Sequence, residues 1–249
     1  MAAGADIIIA EALLREGAEL NVVLPSSIDN FLENSVRPYG ESWVPRFKMC
    51  LEKSHSCTTL PDTNEGMSPE LTILSARIAM GQAILRSEQL GVKPNQLLIS
   101  DPTRAESFTA IHAEDWKAAN LDQLSIDLVK DAKLEKARAV NSRGLPVLIS
   151  QSTMPTIQKM PSFNSAISHI FETPMNDETM FGLHFDIPNA EKELEAIMNK
   201  RLRGTVLLSE AMASYVALKH KLDYKVVFAG AVIDKDGNPI RCYTLQPIS

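Results

Sequence analysis

The sequence predicts an α/β chain in two parts: a parallel sheet with crossover helices over residues 1–128, then a smaller α+β layer over 145–249. Three observations carry that expectation. Short β-rich runs alternate with helical patterns in the first half. The charged stretch VKDAKLEKARAVNSRG reads as a helical linker, 129–144. In the second half strands and helices follow without strict alternation, which implies a partly antiparallel sheet.

The size and composition fit this reading. The chain has 249 residues, 45% hydrophobic and 22% charged, with 11 Gly and 14 Pro. Its mean hydropathy of -0.07 is ordinary for a globular protein. A chain of this length buries roughly 70–75% of its unfolded surface, so core size is not limiting. The net charge of -6 argues against nucleic acid as partner, because phosphate contacts need clustered positive charge. Three cysteines, Cys50, Cys57 and Cys242, form an odd and sparse set that suggests a reducing, cytoplasmic location. No apolar run approaches the ~20 residues that span a bilayer, so no membrane partner is expected. The start, MAAGADIIIAEALLREGAEL, lacks the basic region of a signal peptide.

In the first half, Ile8, Ile9, Ala12 and Leu13 fall at helical spacing, with Glu11 and Arg15 as an i,i+4 pair and Gly17 as the stop. Residues 20–24 (LNVVL) read as a buried strand ended by Pro25. Ser27-Ile28-Asp29 caps a helix from Asn30 to Val36, and Trp43, Phe47 and Leu51 give the next helix an aromatic inner face. The strongest helix runs from Pro69 to Leu90, capped by Ser68, with Ile73, Ala76, Met80, Ala83 and Ile84 as its stripe. A strand at 96–100, a helix at 112–119 and a strand at 123–128 complete the half. In the second half, strands are expected at 145–150, 180–185, 205–208, 224–228 and 241–245. Helices are expected after Ser162, from Ala190 to about Arg203 behind an Asn189 cap, and over 209–218; Asp236-Gly237-Asn238-Pro239 is a turn.

Four blocks in one order, AAGADIIIAEALLREGAELNVVLP, NSVRPYGESWVPRFKMCLEKS, PELTILSARIAMGQAILRSEQLG and LLISDP, resemble a known domain. It is the Rossmann-like domain of bacterial multidomain signalling proteins that join tetratricopeptide repeats to an adenylate/guanylate cyclase domain. The resemblance covers about residues 2–128 and implies a further strand and glycine-bearing loop ahead of Ala3-Gly4-Ala5-Asp6. Only Met1, Ala2 and Ala3 precede Gly4, so the sheet is read as a truncated Rossmann-like sheet lacking its first strand. RGTVLLSEAMASYVAL followed by LDYKVVFAGAVIDKDGNPIRCYTLQ is similar to the C-terminal end of a class III nucleotidyl cyclase domain. That likeness implies a ferredoxin-like, cyclase-type fold, with PVLISQSTMP where the first metal-binding strand lies and ETMFGLHFD where the second does.

Cyclase chemistry requires two acidic residues holding two divalent ions, and a polar or basic group at the reacting phosphate. At the first position this chain has Gln151 between Ser150 and Ser152. Near the second it has Thr179, with Asp177 and Glu178 before it and Asp186 after. Between Asp186 and Gly204 there is one helix only, so the segment that would carry the transition-state Asn and Arg is read as deleted. The expectation is a degenerate cyclase fold with no catalytic residue, no metal and no cofactor.

A ligand is weighed at two places. A glycine at a helix N-terminus presents free N–H groups, so Gly4, Ala5 and Asp6 form a candidate nucleotide-binding turn, although Asp6 would repel an anion. Asp101, just past a strand's carboxyl end, sits where open α/β sheets bind ligands. Cys50, His55 and Cys57 lack a fourth ligand at zinc spacing. His112 with Glu114 and Asp115 reads as a helix-start pattern, His184 as a hydrogen-bonded core histidine, and Ser152 has no hydrolase setting. The sequence thus points to a non-catalytic signalling or interaction protein, a pseudoenzyme with a nucleotide ligand and a homodimer through the cyclase-like domain. Two alternatives stand beside it: a small enzyme acting on a nucleotide or nucleotide sugar near Gly4 and Asp101, and a truncated gene product without independent function.

Overall fold

The structure is a computed structural model that describes residues 1–62, 67–100, 107–127, 145–152, 154–174, 178–200, 202 and 204–248, without the side chains of Met154 and Pro155. The linker expected at 129–144 and the candidate Asp101 lie outside the described residues. The chain is a mixed α/β structure of two units: Met1–Ala79 with Asn95–Ser142, and Met80–Pro94 with Arg143–Ser249.

The first unit begins with α1 (Ala5–Arg15), a helix closed by a Schellman pair in which Ala18 N donates to Leu13 O and Gly17 N to Leu14 O. Its buried residues are Ile7 and Ala10, with Leu14 partly buried, whereas Ile8 and Leu13 are half exposed. The expected stripe is therefore rotated by about one residue: the run IIIAEALL carries apolar residues around most of the helix, with Glu11 its one charge, and periodicity alone does not choose a face. Strand β1 (Asn21–Leu24) pairs in parallel with β2 (Ser56–Thr59). Between them run α2 (Ile28–Ser35), a 3-10 turn at Arg37–Tyr39 and α3 (Trp43–Glu52). Ser27 caps α2 by accepting from Asn30 N. Ile7, Val22, Leu24, Phe31, Phe47 and Cys50 form the core here, with the Phe31 and Phe47 rings stacked 5.9 Å apart.

Helix α4 (Pro69–Leu90) starts behind Ser68, whose hydroxyl accepts from Leu71 N. Of its expected stripe Ile73, Met80 and Ile84 are buried, but Ala83 is exposed; Leu74, Ile78 and Leu85 are buried instead. β3 (Asn95–Ser100) and β4 (Asp122–Asp127) form a second parallel pair, crossed by α5 (Phe108–Ala118). Trp116 of α5 donates to Asp122 O at 2.7 Å, fastening helix to strand. The helical crossovers match the α/β reading, but the described strands pair two by two rather than in one sheet. All four residues of β2 are exposed, as are five of six in β4, so neither strand has the two covered faces of an interior parallel strand.

The second unit holds a six-stranded mixed sheet in the order β6-β5-β7-β8-β10-β9. Its strands are β5 (Val147–Gln151), β6 (Met154–Met160), β7 (Phe181–Phe185), β8 (Val206–Ser209), β9 (Tyr224–Ile233) and β10 (Pro239–Pro247). Only β7 and β8 are parallel; every other neighbour is antiparallel. Helices α6 (Phe163–Glu172), α7 (Ala190–Met198) and α8 (Glu210–Lys219) flank it, and Ser162 and Ser209 cap α6 and α8 by accepting from Ser165 N and Met212 N. Asn189 starts α7 from a left-handed backbone with φ 68° and makes no side-chain cap bond, contrary to the expected cap. β6 was not anticipated, since Pro155 and Lys159 break any strand pattern there. All five residues of β7 are buried. Gly182 and His184 face α7, while Phe185 meets the Tyr215 ring of α8 edge-on at 5.3 Å.

Gly81 of α4 crosses α8 at Ser214. A methyl group added at Gly81 would lie 2.7 Å from Ser214 Cα and overlap its carbonyl. Gly81→Ala must push two backbones apart, so it should cost about 3 kcal/mol, read as a lower denaturant midpoint by circular dichroism.

Candidate functional site

At the N-terminal turn, Gly4 adopts φ 102° and ψ -129°, a conformation open to glycine alone, and leads into α1 without a side-chain cap. Asp6 Oδ2 accepts from Ala2 N at 3.0 Å, so the carboxylate of the turn lies over the first helical turn and complements its dipole. Ala5 is the first residue of that helix. The structure thus joins Gly4, Ala5 and Asp6, while Asp101 lies outside the described residues.

The carboxyl ends of β1 and β2 meet the start of α2, the place where a parallel pair would receive an anion. Asp62 fills it. Its Oδ1 accepts from Ser27 N and from Asn30 Nδ2, both at 2.9 Å, and these bonds hold the carboxyl below its usual range. Both helix starts next to the first parallel pair therefore carry a carboxylate of the chain itself.

Between α4 and α5, Arg77 Nε donates to Asp115 Oδ2 at 2.6 Å in an ion pair whose side chains are 18% and 7% exposed. His112 lies one turn ahead of Asp115, and its buried Nε2 finds no hydrogen-bond partner among the described residues. Burial lowers the His112 pKa; Asp115 and Asp6 pull it up and Arg77 pushes it down. His112 and Asp115 are thus packed groups rather than a solvated helix start.

In the second unit, the two strands marked by the cyclase resemblance are neighbours, with Gln151 opposite Phe181 and Val147 opposite Phe185. The end at Gln151 is tied by Ser152, whose Oγ accepts from Met180 N at 2.9 Å and donates to Glu178 O at 3.3 Å. Ser152 N donates to Met180 O, and Thr179 is buried. Asp186 stands at the opposite end of β7, paired with Lys159. The strand between them separates Glu178 from Asp186 by roughly 15 Å or more, too far for one metal pair. Asp177 lies outside the described residues.

The other end of the parallel pair gathers polar groups of which the sequence singled out His184 alone. His184 is buried, with Nδ1 donating to Phe185 O at 2.8 Å and Nε2 hydrogen-bonded to Glu193 Oε2 at 2.9 Å. Both ring nitrogens are engaged within the fold, as a core histidine's should be. Glu210, first residue of α8, lies 3.4 Å from Arg241 Nη1. Burial pushes the Glu210 carboxyl up, with Arg241 opposing, and burial beside Glu210 pushes Tyr243 up to about 12. The one advance signal for Arg241, Tyr243 and Glu193 was their place on elements next to a predicted strand end; nothing local marked them.

Cys50 and Cys242 are buried and Cys57 is exposed. Among the described residues no three His, Cys, Asp or Glu side chains are grouped to hold a metal ion. No helix among them is long and apolar enough to cross a membrane. No family model, curated protein or solved structure matches the chain.

Arg77→Ala would leave the buried Asp115 carboxylate without its guanidinium and should lower stability by about 3 kcal/mol in chemical denaturation. His112 and His220 are both held below the usual histidine value, chiefly by burial. The unfolded chain takes up these protons near pH 6.5, before the folded chain does. Stability is therefore complete above about pH 6.5 and is lost as pH falls through the lowered folded values. Melting temperature should fall as pH drops below about 7, and His112→Gln and His220→Gln should each flatten that slope.

Proposed function

We propose that the protein is a non-catalytic signalling or interaction module, a cyclase-type scaffold on which the nucleotide-cyclising centre is not assembled. One observation carries this reading: the carboxylates of Glu178 and Asp186 belong to opposite ends of β7, and Asp186 is committed to Lys159. Two-metal chemistry needs acidic ligands converging within a few ångströms. Gln151 and Thr179 at the first of those ends are neutral and hold a hard divalent cation weakly. The Rossmann-like and ferredoxin-like assignments of the two units belong to the same proposal. So does a nucleotide at the first unit, which would have to displace Asp62 from the start of α2 or approach α1 against the charge of Asp6.

Purified chain incubated with ATP or GTP and manganese should give no cyclic nucleotide above background; turnover well above it would overturn the reading. A thermal-shift series with nucleotides checks the ligand separately. Binding at saturation raises the melting temperature, and unchanged curves across the panel would remove the nucleotide from the proposal.

A further inference from the structure

The last strand in the sheet order, β9, is ten residues long and among the described residues pairs on one side only, with β10. From Val226 to Ile233 it contains no charged residue and no proline. Natural edge strands are commonly guarded by lysine, proline or short length. The opposite edge, β6, has such guards in Pro155 and Lys159. On β9 the lysine close by is Lys200 after α7, whose ammonium lies beside Gly230, and the large side chains are uncovered: Phe228 is 50% and Ile233 64% exposed.

The faces of β9 follow from its partners. Val226, Phe228, Ala231 and Ile233 stand opposite Leu245, Tyr243, Arg241 and Pro239 and share one face; Lys225, Val227 and Val232 share the other. A β-bulge at Ala229 and Gly230, where Gly230 has φ 101°, joins the two segments.

We propose that β9 is a self-association edge, on which a second copy of the chain adds its own β9 antiparallel across a two-fold axis between Ala229 and Gly230. In this register every residue meets one of its own face. Phe228 lies opposite the partner's Ala231, Val226 opposite the partner's Ile233, and Val227 opposite the partner's Val232. Both bulges fall on the axis, so the two strands bend together and the flanking segments stay in step. Charge then fixes the ends, because Lys225 faces the partner's Asp234. That carboxylate is already positioned: Asp234 Oδ1 accepts from Asp236 N at 2.9 Å and Asn238 N at 2.7 Å. The contact is isologous, as a closed dimer requires, and main-chain pairing supplies affinity while the apolar cross-strand pairs supply register. It names a partner for the interaction module and rests on that reading. Its test measures mass rather than turnover, so either can fail without the other.

Sedimentation of the full chain at high micromolar concentration should show a dimer. Phe228→Lys and Ile233→Lys should yield monomers with unchanged far-ultraviolet circular dichroism, since both side chains are half exposed or more. Should either fail to fold, Lys225→Glu, at an exposed position, places like charges at both ends and should weaken dimerisation about tenfold or more. In a Cys57→Ser background, Phe228→Cys with Ala231→Cys should give a disulfide-linked dimer on oxidation. A monomeric wild-type chain would overturn the proposal. So would a dimer insensitive to the three charge variants, or one that the cysteine pair fails to link.

Discussion

Five consecutive buried residues in β7, Phe181 to Phe185, set the terms for the whole second unit. A strand covered on both faces accepts a polar side chain only if every polar atom finds a partner. His184 meets that condition through Phe185 O and Glu193. Gly182 meets a different one, since a side chain there would run into Met198 and Leu194 of α7. The strand's length also decides what can act together. Groups at its start, Glu178 and Thr179, and the group at its end, Asp186, are neighbours in sequence yet occupy opposite borders of the sheet. A segment such as ETMFGLHFD that reads as one acidic cluster on paper is, in three dimensions, two separate polar borders with an apolar bar between them.

The first unit meets the same demand at its helix starts. A helix N-terminus presents unpaired N–H groups that something negative or polar must satisfy. Here Asp62 serves α2 by accepting from Ser27 N, while Asp6, in the first turn of α1, complements the dipole by its charge and accepts from Ala2 N ahead of the helix. Asp62 reaches α2 across 35 residues of sequence, and the same separation joins Arg46 to Glu11 in a two-bonded fork at 2.8 and 2.6 Å. Arg46 also lies 4.4 Å over the Trp43 ring, so one guanidinium holds α1 against α3 and shields an aromatic face. These contacts leave the unit closed around its own charges.

What was legible in the sequence was what is local. Ser27, Ser68, Ser162 and Ser209 announce helix starts because a cap is a bond over three residues, and Asp236-Gly237 announces a turn for the same reason. The α/β character of the first half and the partly antiparallel sheet of the second were readable from the order of runs. What was not legible depends on partners distant in sequence. Glu11 has Arg15 one turn away, but Arg15 donates to the Glu11 carbonyl while the carboxylate goes to Arg46. The Arg77–Asp115 pair spans 38 residues and left no local trace. Strand pairing in the first half was equally hidden, because β2 and β4 are too exposed to carry a hydrophobic alternation that would specify neighbours.

The two tryptophans of the chain, Trp43 and Trp116, both belong to the first unit, one half-buried beside Arg46 and the other sealed against β4. The second unit carries Tyr215, Tyr224 and Tyr243 and no indole. Intrinsic fluorescence excited at the indole band is therefore a private reporter of the first unit. Any loss of order confined to the six-stranded sheet would pass silently beneath it, visible only in the tyrosine bands.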